Sequence, residues 1–287
     1  MKDQTILHLQ KLAYRKKHIK RGFRFLLNLI IALFLLFPLM YAVSIAFMPA
    51  GDLFTMELNL IPSNPTLDNF RCAFSTIPLF RFIINSFLVS SCITIGQIIT
   101  CSLAAFCFSF FNFKGKSILF ILVIATMMVP SEATILSNYL TVCQLGMLDS
   151  YPVLILPFLT SAMGIFLFRQ FYMTFPISLY EAAKLDGCTN LRFLLTILIP
   201  LTKSAIGAMS VYTFLNAWNM YMWPLLVTGS TEMRTVQIGI SMLNSIDASS
   251  IPLMIAGVVF IILPSIIIFI IGEKQLVSGM FQGSVKG

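Results

Sequence analysis

The stretch EAAKLDGCTNLRFLLTILIP, residues 181–200, has the most distinctive residue types and spacing in the chain. Strong helix formers are followed by a turn signal, and no nucleophile is paired with a base. Such a pattern suits docking of a partner and does not suit catalysis. Glu-Ala-Ala is followed after three residues by Gly, after nine more by Ile and after two more by Pro. The residues that define this pattern are Glu181, Ala182, Ala183, Asp186, Gly187, Ile197 and Pro200.

The first half of this stretch predicts a helix that ends in a tight turn. Ser178 precedes Glu181 by three residues, which is the spacing of a capping box and predicts a helix start at Ser178. Residues 182–185 are good helix formers. The Asp186–Gly187 pair predicts the helix end, because glycine adopts the left-handed conformation that a side chain would penalise.

The second half of the stretch predicts another helix. Thr189 or Asn190 can cap its start, Ile197 lies within it, and Pro200 marks the return toward an apolar segment. Two interpretations remain, a helical hairpin that docks on a soluble subunit and an amphipathic loop lying on lipid head groups. The loop interpretation explains the helix propensities of these residues but not the full spacing from Glu181 to Pro200. We therefore favour the docking interpretation.

A second polar and aromatic cluster lies within an apolar segment further along the chain. Amide side chains can hydrogen-bond sugar hydroxyls, and aromatic rings can stack on a pyranose, so the cluster is a candidate substrate pathway. Alternatively, the amides bond between helices and the rings form an interfacial aromatic belt. The sequence favours a structural or gating role over direct ligand contact. The residues concerned are Asn216, Trp218, Asn219, Tyr221 and Trp223.

Neither a nucleotide site nor a metal site is expected in this chain. Gly115-Lys116-Ser117 resembles the end of a P-loop, but the required earlier glycine is replaced by Phe110. His8 and His18 lie in a basic segment without metal-ligand spacing. We therefore expect no bound cofactor and no enzymatic activity.

The composition indicates that a lipid bilayer is the main solvent. Hydrophobic residues make up 58% of the chain and charged residues 10%, whereas soluble domains carry about 25% charged residues. The net charge of +8 does not indicate nucleic-acid binding, because the basic residues concentrate near the N-terminus and in short loops. The cysteines lack the spacing of a zinc site or a disulfide framework.

Six apolar segments are each long enough to cross a bilayer, which takes about 20 residues. Pro130, Ser131 and Glu132 interrupt the third of them. Asn85 and Gln97 in the second segment are predicted to hydrogen-bond between helices. The chain is thus predicted to be an all-α polytopic membrane protein with six transmembrane helices. The segments are Phe25–Phe47, Phe82–Phe110, Ile118–Asn138, Val153–Tyr172, Ala205–Val227 and Leu253–Ile271.

The distribution of charge predicts the orientation of these segments. The first segment exceeds the apolar core of a cleavable signal peptide, about 7–15 residues, so we expect it to be retained. With both termini in the cytoplasm, every Lys and Arg except Arg71, Arg81 and Arg234 lies inside, as the positive-inside rule requires. Residues 181–200 then face the cytoplasm. The acidic residues placed outside are Asp52, Glu57, Asp68, Glu132, Asp149, Glu232 and Asp247.

This organisation divides the chain into three parts. Residues 1–24 form a basic cytoplasmic N-terminus, residues 25–272 a transmembrane domain and residues 273–287 a cytoplasmic tail. Three extracytoplasmic loops are expected at residues 48–81, 139–152 and 228–252. Loops of such length are often functional.

Residues 181–200, together with NAWNMYMWPL at residues 216–225 and GSVKG at residues 283–287, resemble ABC importer permeases of the carbohydrate-uptake branch. Specifically, they resemble the second permease subunit of systems for maltose-type sugars, arabinose oligomers and glycerol 3-phosphate. The resemblance covers essentially the whole chain. Cys188 and Ser284 stand where the family usually has Ala, and both changes are mild.

This resemblance implies a type I importer fold and a set of partners. These are a homologous permease subunit, two ATP-binding cassette subunits that bind ATP and Mg, and an extracytoplasmic solute-binding protein that delivers a sugar. Transport would proceed by alternating access in the plasma membrane of a prokaryote. The 228–252 loop resembles in position the one that enters the binding protein's cleft.

Several alternatives stay open at this stage. No cation in a span is available for a phosphate, which favours a neutral sugar over glycerol 3-phosphate. A secondary transporter is less supported, because there is no inverted repeat with broken helices. A membrane scaffold or sensor is a third class.

Overall fold

The computed structural model describes residues 2–49, 60–246 and 251–282. Within these ranges the chain is helical, with short 3₁₀ and π-helical turns and no β-strand. The predicted GSVKG motif at residues 283–287 lies outside them, as do Asp52, Glu57 and Asp247. The helices are α1 Lys2–Ala46, α2 Asp68–Thr76, α3 Leu79–Phe110, α4 Lys116–Ala125, α5 Ser131–Gln144, α6 Tyr151–Ile155, α7 Ala162–Tyr172, α8 Ile177–Leu185, α9 Asn190–Phe193, α10 Ile199–Leu201, α11 Lys203–Trp218, α12 Met222–Val227, α13 Val236–Ile246 and α14 Ile251–Gln282.

The chain divides into two compact units, of which the first comprises Met1–Cys72 and Ser250–Val259. Its main element is α1, a helix of 45 residues that joins the basic N-terminal segment to the first apolar segment. The buried Asn69 carboxamide donates to the carbonyls of Ala46 and Met48 at 2.9 and 2.8 Å. These bonds satisfy the last carbonyl of α1 and that of Met48 just beyond the helix end.

Three helices are long and apolar enough to cross a membrane without interruption. They contain the spans Lys20–Ala46, Leu79–Phe110 and Ile251–Gln275, and so agree with the first, second and sixth predicted segments. Pro38 and Pro264 lie inside α1 and α14 without ending them. The second unit, Ala73–Ser249 and Phe260–Gly287, contains α3 and the remaining candidate spans.

The third, fourth and fifth predicted segments are not single helices. The third bends by 98° between Lys116–Met128 and Ser131–Gln144, because Pro130 forces the preceding residue into an extended conformation. The fourth bends by 45° between Tyr151–Phe158 and Ala162–Tyr172. The fifth is interrupted at residues 219–221, between α11 and α12.

Side chains of α3 satisfy the backbone groups that the break in the fourth segment exposes. Gly96 of α3 lets this break approach closely, since a Cβ there would lie 2.3 Å from Leu159 Cδ2. Gln97 also accepts from the Thr213 hydroxyl of α11 at 3.1 Å, so its predicted interhelical role is confirmed. Three side chains of α3 donate hydrogen bonds to carbonyls at the break in the fourth segment. They are Gln97 Nε2 to the Phe158 carbonyl at 2.9 Å, Thr100 Oγ1 to the Leu159 carbonyl at 2.6 Å and Cys101 Sγ to the Ser161 carbonyl at 3.4 Å.

The 228–246 segment is ordered against α3, which differs from the loop expected at residues 228–252. It forms a 3₁₀ turn at Thr231–Met233 and then α13, whose Val236, Ile238 and Leu243 are buried. Asn85, 1% exposed, holds this segment. Its Nδ2 donates to the carbonyls of residues 232 and 234 at 2.8 and 2.9 Å, and its Oδ1 accepts from the Tyr151 hydroxyl at 2.8 Å. The predicted bonding role of Asn85 is thus confirmed.

Asp149 provides a second attachment for the 228–246 segment. Its Oδ1 accepts from the backbone amides of Gly229 and Ser230 at 3.1 and 3.0 Å. Its own amide donates to the Val227 carbonyl at 2.8 Å. Hydrogen bonds from the Ser230 side chain and then its backbone hold the pKa of Asp149 below its usual value. The carboxylate is therefore charged when it accepts these bonds.

Replacing Asn85 by Leu should destabilise the protein, because two buried carbonyls and one hydroxyl lose their partner. We expect a loss of about 2 kcal/mol in the free energy of unfolding, measured by denaturant titration of the purified subunit in detergent. Asn138→Leu is the matched control, because Asn138 is exposed on α5. Equal losses in the two variants would contradict the attachment role of Asn85.

Candidate functional site

Residues 177–201 form a helical hairpin, as predicted, but its first helix begins differently. Helix α8 starts at Ile177 with Pro176 as its N-cap and has no side-chain cap. The predicted capping box of Ser178 and Glu181 is therefore wrong. Ser178 lies within the first helical turn, whereas an N-cap residue needs non-helical backbone angles. The Pro176 carbonyl instead accepts from the Leu179 amide at 3.1 Å.

The turn of the hairpin is a complete Schellman motif centred on Gly187. Gly187 has a φ of +76°, which only glycine adopts at little cost. Its amide donates to the Lys184 carbonyl at 3.0 Å, and the Cys188 amide donates to the Ala183 carbonyl at 2.9 Å. These two bonds cap the C-terminal end of α8. The predicted helix end at Asp186–Gly187 is thus confirmed.

The second helix of the hairpin is capped by Thr189, one of the two predicted candidates. The Thr189 hydroxyl accepts from the Arg192 amide at 3.3 Å. Asn190, the other candidate, is the first helical residue. Its Oδ1 accepts from the Tyr180 hydroxyl at 2.7 Å, which joins the two helices. Burial raises the pKa of Tyr180, so its hydroxyl keeps the proton that it donates.

The hairpin ends one residue beyond its predicted end at Pro200. A π-helical turn at Leu194–Leu198 contains Ile197 and leads into α10, which includes Pro200 and ends at Leu201. Pro200 lacks the amide that an α-helix requires. The π-helical turn lies directly before it, and the Ile199 amide donates to the Leu194 carbonyl. The chain then turns by 82° into α11.

One face of the hairpin packs on the end of α3. The Tyr180 ring lies 5.2 Å from that of Phe110 and 5.1 Å from that of Phe193. Phe106 of α3 contacts both hairpin rings. Of the motif residues, Ala183 is buried in this core and Ile197 packs against it. The packing of these large aromatic side chains holds the hairpin rigidly against α3.

The opposite face of the hairpin is exposed and combines apolar with charged residues. Leu185 is 90% exposed beside the turn. The motif residues Glu181, Ala182, Asp186 and Gly187 are exposed with it. Leu191 of the second hairpin helix is also exposed, at 56%, so this face of the hairpin presents both apolar and charged side chains.

The second cluster divides into buried and exposed members. Trp218 is 1% exposed and stacks on Phe214 at 5.9 Å, and Trp223 is 5% exposed. Trp223 Nε1 donates to the Val153 carbonyl at 2.9 Å. Both rings therefore pack inside the subunit and do not form an aromatic belt toward lipid. Asn216 and Asn219 are exposed, and Tyr221 is half-buried.

The exposed members of this cluster connect to α13. Asn219 Oδ1 accepts from Gln237 Nε2 at 3.1 Å, and the hydroxyls of Tyr221 and Ser241 lie 3.2 Å apart. Sequence reasoning missed Gln237 and Ser241. They are four residues apart in an apolar helix, and this spacing places polar groups on one helix face. That spacing was the signal available in the sequence.

An exposed polar stripe also runs along α11. Tyr212 and Asn216 are both exposed, and the Asn216 amide group donates to the Tyr212 carbonyl at 2.8 Å. Asn219 follows three residues later and donates to the Leu215 carbonyl at 2.9 Å. Among the described residues, no group of three or more His, Cys, Asp or Glu side chains is placed to hold a metal ion.

These features match a known family of membrane transport subunits. Residues 93–274 match the family described as binding-protein-dependent transport system inner membrane component. The chain is 36% identical over 262 residues to the arabinooligosaccharides transport system permease protein AraQ of Bacillus subtilis, covering 90% of this chain and 93% of the relative. It is 35% identical over 257 residues to the sn-glycerol-3-phosphate transport system permease protein UgpE of Brucella melitensis, covering 86% and 90%.

A solved structure shows the same fold. It is the crystal structure of a bacterial ABC transporter involved in the import of the acidic polysaccharide alginate, and one of its chains superimposes with a TM-score of 0.79. The match covers 91% of this chain and 97% of that chain at 20% sequence identity. The fold and the hairpin thus define a type I ABC importer permease. The chain belongs to the family of binding-protein-dependent transport system inner membrane components.

A double-mutant cycle should detect the bond between Tyr180 and Asn190. We expect Tyr180→Phe and Asn190→Ala to show a coupling energy of about 1 kcal/mol in the free energy of unfolding of the purified subunit. As the control cycle, Tyr180→Phe combined with Asn138→Ala should be additive. Additivity in the Tyr180–Asn190 cycle would contradict this junction of the two hairpin helices.

Proposed function

We propose that this permease subunit translocates a neutral sugar, most simply an oligosaccharide, in an ATP-driven importer. Its partners are a homologous permease subunit, two ATP-binding cassette subunits and an extracytoplasmic solute-binding protein. ATP and Mg bind to the cassette subunits, and this chain carries no catalytic residue. The observation that carries the proposal is the rigid hairpin with an exposed apolar tip, in a chain of this transport family.

The proposed topology has six spans with both termini in the cytoplasm of a prokaryotic cell. In the part of the chain that the structure describes, the first, second and sixth spans are continuous helices and the third and fourth are bent, while the fifth is interrupted between α11 and α12. Residues 1–24 and 273–287 flank the transmembrane domain at residues 25–272. The charge distribution supports this orientation, because the hairpin carries the exposed Lys184 and Arg192 and basic residues are enriched in cytoplasmic segments. The hairpin is then the surface that the cassette subunit binds.

The proposed mechanism uses the hairpin as a rigid coupling element. Its buried face is packed on α3, and its C-terminal end continues through Thr202 into α11. The Thr202 hydroxyl donates to the Leu198 carbonyl at 2.8 Å, which fixes the turn between them. A movement of the docked cassette subunit would therefore move α3 and α11 together. In this way, closure of the two cassette subunits would drive the alternating access of the permease.

The polar stripe on α11 and its contacts with α13 are the proposed contribution of this subunit to the substrate pathway. Its members are uncharged amide, hydroxyl and aromatic groups. Exposed polar groups in a span are costly in lipid, so they face water or a protein partner. Such groups fit sugar hydroxyls and offer no cation to a phosphate. The residues are Tyr212, Asn216, Asn219, Tyr221, Gln237 and Ser241, and the buried Trp218 and Trp223 hold the interrupted segment in place.

Import of glycerol 3-phosphate is the second candidate. The chain is almost as similar to a permease named for that compound as to one named for arabinooligosaccharides. Uptake of a panel of neutral oligosaccharides and of glycerol 3-phosphate by the assembled importer separates the two candidates. Uptake of glycerol 3-phosphate alone would overturn the sugar proposal.

Gly187→Asp should abolish transport and leave membrane insertion intact, because a side chain at positive φ distorts the docking tip. Gly146 provides a matched control, since it has a φ of +64° in an equivalent helix-ending turn. A Cβ at either glycine meets no atom within 4 Å. Gly146→Asp should therefore introduce the same backbone strain but leave sugar transport intact. Transport near wild type in Gly187→Asp would count against docking, as measured by sugar uptake into proteoliposomes.

Asn219→Ala should raise the KM for sugar uptake about tenfold, the equivalent of one lost hydrogen bond. Trp223→Phe is the comparison, because it removes only the internal bond to Val153. It should lower stability without changing KM. If Asn219→Ala leaves both KM and substrate preference unchanged, the stripe does not contact the sugar.

A further inference from the structure

A cavity of about 550 Å³ lies between the start of α11 and the end of α14, apart from the docking and pathway residues. Gly207 of α11 lets α14 approach closely beside this cavity. A Cβ at that position would lie 2.6 Å from Gln275 Cγ on α14. The residues that line the cavity are Lys203, Ser204, Ile206, Gly207, Lys274 and Gln275.

The lining of this cavity is suited to an anion. Lys203 and Lys274 come from different helices and border the same space. Lys203 is also the first residue of α11, a helix of 16 residues whose N-terminal end carries a partial positive charge. Glu273 is exposed beside Lys274 in sequence, but it does not line the cavity. Two ammonium groups that border one space supply the positive charge that a phosphate group requires.

The surface next to the cavity is apolar, which indicates that the anion belongs to an amphipathic molecule. Ile270 and Ile271 of α14 are exposed one turn before Lys274, and Ile267 is exposed one turn earlier. Acyl chains can lie along this face while a head group occupies the cavity. A free phosphate would contact the two lysines but would not use this apolar face.

We propose that this cavity binds the phosphate group of an anionic phospholipid in the cytoplasmic leaflet. Basic pockets between transmembrane helices at this level are suited to such head groups. The bound lipid joins the end of the sixth span to the point where the hairpin turns into α11. It therefore stabilises the junction through which the hairpin acts. The proposal depends on the membrane topology and not on the identity of the transported substrate.

The test is binding of fluorescent phosphatidylglycerol to the assembled importer in detergent micelles. Lys203→Gln combined with Lys274→Gln should weaken the apparent affinity by about 30-fold, from the usual contribution of two basic residues near an anionic surface. Lys20→Gln combined with Lys114→Gln removes the same charge from other exposed positions. This control should change the affinity by less than about threefold, because only diffuse attraction is lost.

Each outcome of this test supports or overturns the proposal. Equal weakening by the two double variants would mean diffuse attraction to the surface and would overturn it. Competition with inorganic phosphate distinguishes a phospholipid head group from a free phosphate as the occupant of the cavity. Free phosphate that displaces the lipid at comparable concentration would assign the cavity to a soluble anion and overturn the lipid source. Failure of sugar uptake in the unmodified importer would overturn the proposed function and leave this binding result unaffected.

Discussion

Backbone groups released at helix breaks must find partners inside the protein, because the hydrocarbon layer supplies none. This chain breaks or bends three of its candidate spans, and α3, an uninterrupted helix of 32 residues, supplies many of the partners. Gln97 and Thr100 serve the break in the fourth segment, and Asn85 serves the segment before α13. The polar residues of α3 therefore determine where its neighbours can be irregular. Without them, the break in the fourth segment and the segment before α13 would leave carbonyls without these partners.

The same helix also determines the rigidity of the hairpin. Tyr180 and Phe193 pack on the aromatic end of α3, and the Schellman turn at Gly187 fixes the angle between the hairpin helices. The hairpin continues into α11 through a turn closed by Thr202. A projection held at both ends transmits a displacement with little loss, since packed interiors deform little. The Glu-Ala-Ala motif thus combines one buried alanine for packing with exposed residues for contact.

Local chemistry explains which features could be predicted from the sequence. The helix end at Gly187 and the cap at Thr189 depend on neighbouring residues; the first was predicted, and the second was predicted as Thr189 or Asn190. The helix start at Pro176 and the hairpin end at Leu201 differ from prediction, because they depend on a proline's missing amide and on a π-helical turn. The breaks in the fourth and fifth segments depend on partners far along the chain, such as Gln97 for Phe158. Apolar periodicity alone does not reveal such partners. For the same reason, Gln237 and Ser241 were missed.

The exposed Leu185 has a consequence for the life of the subunit before assembly. Its side chain is 90% exposed and does not belong to the core that the hairpin shares with α3, and in the proposed complex a cassette subunit would cover it. A newly inserted copy therefore displays an apolar group of the kind that chaperones and proteases bind. Synthesis of this subunit in excess of its partners would expose it to degradation, and the stoichiometry of the complex would be corrected by removal of unpaired copies. The residue at the tip of the hairpin would thereby report whether assembly is complete.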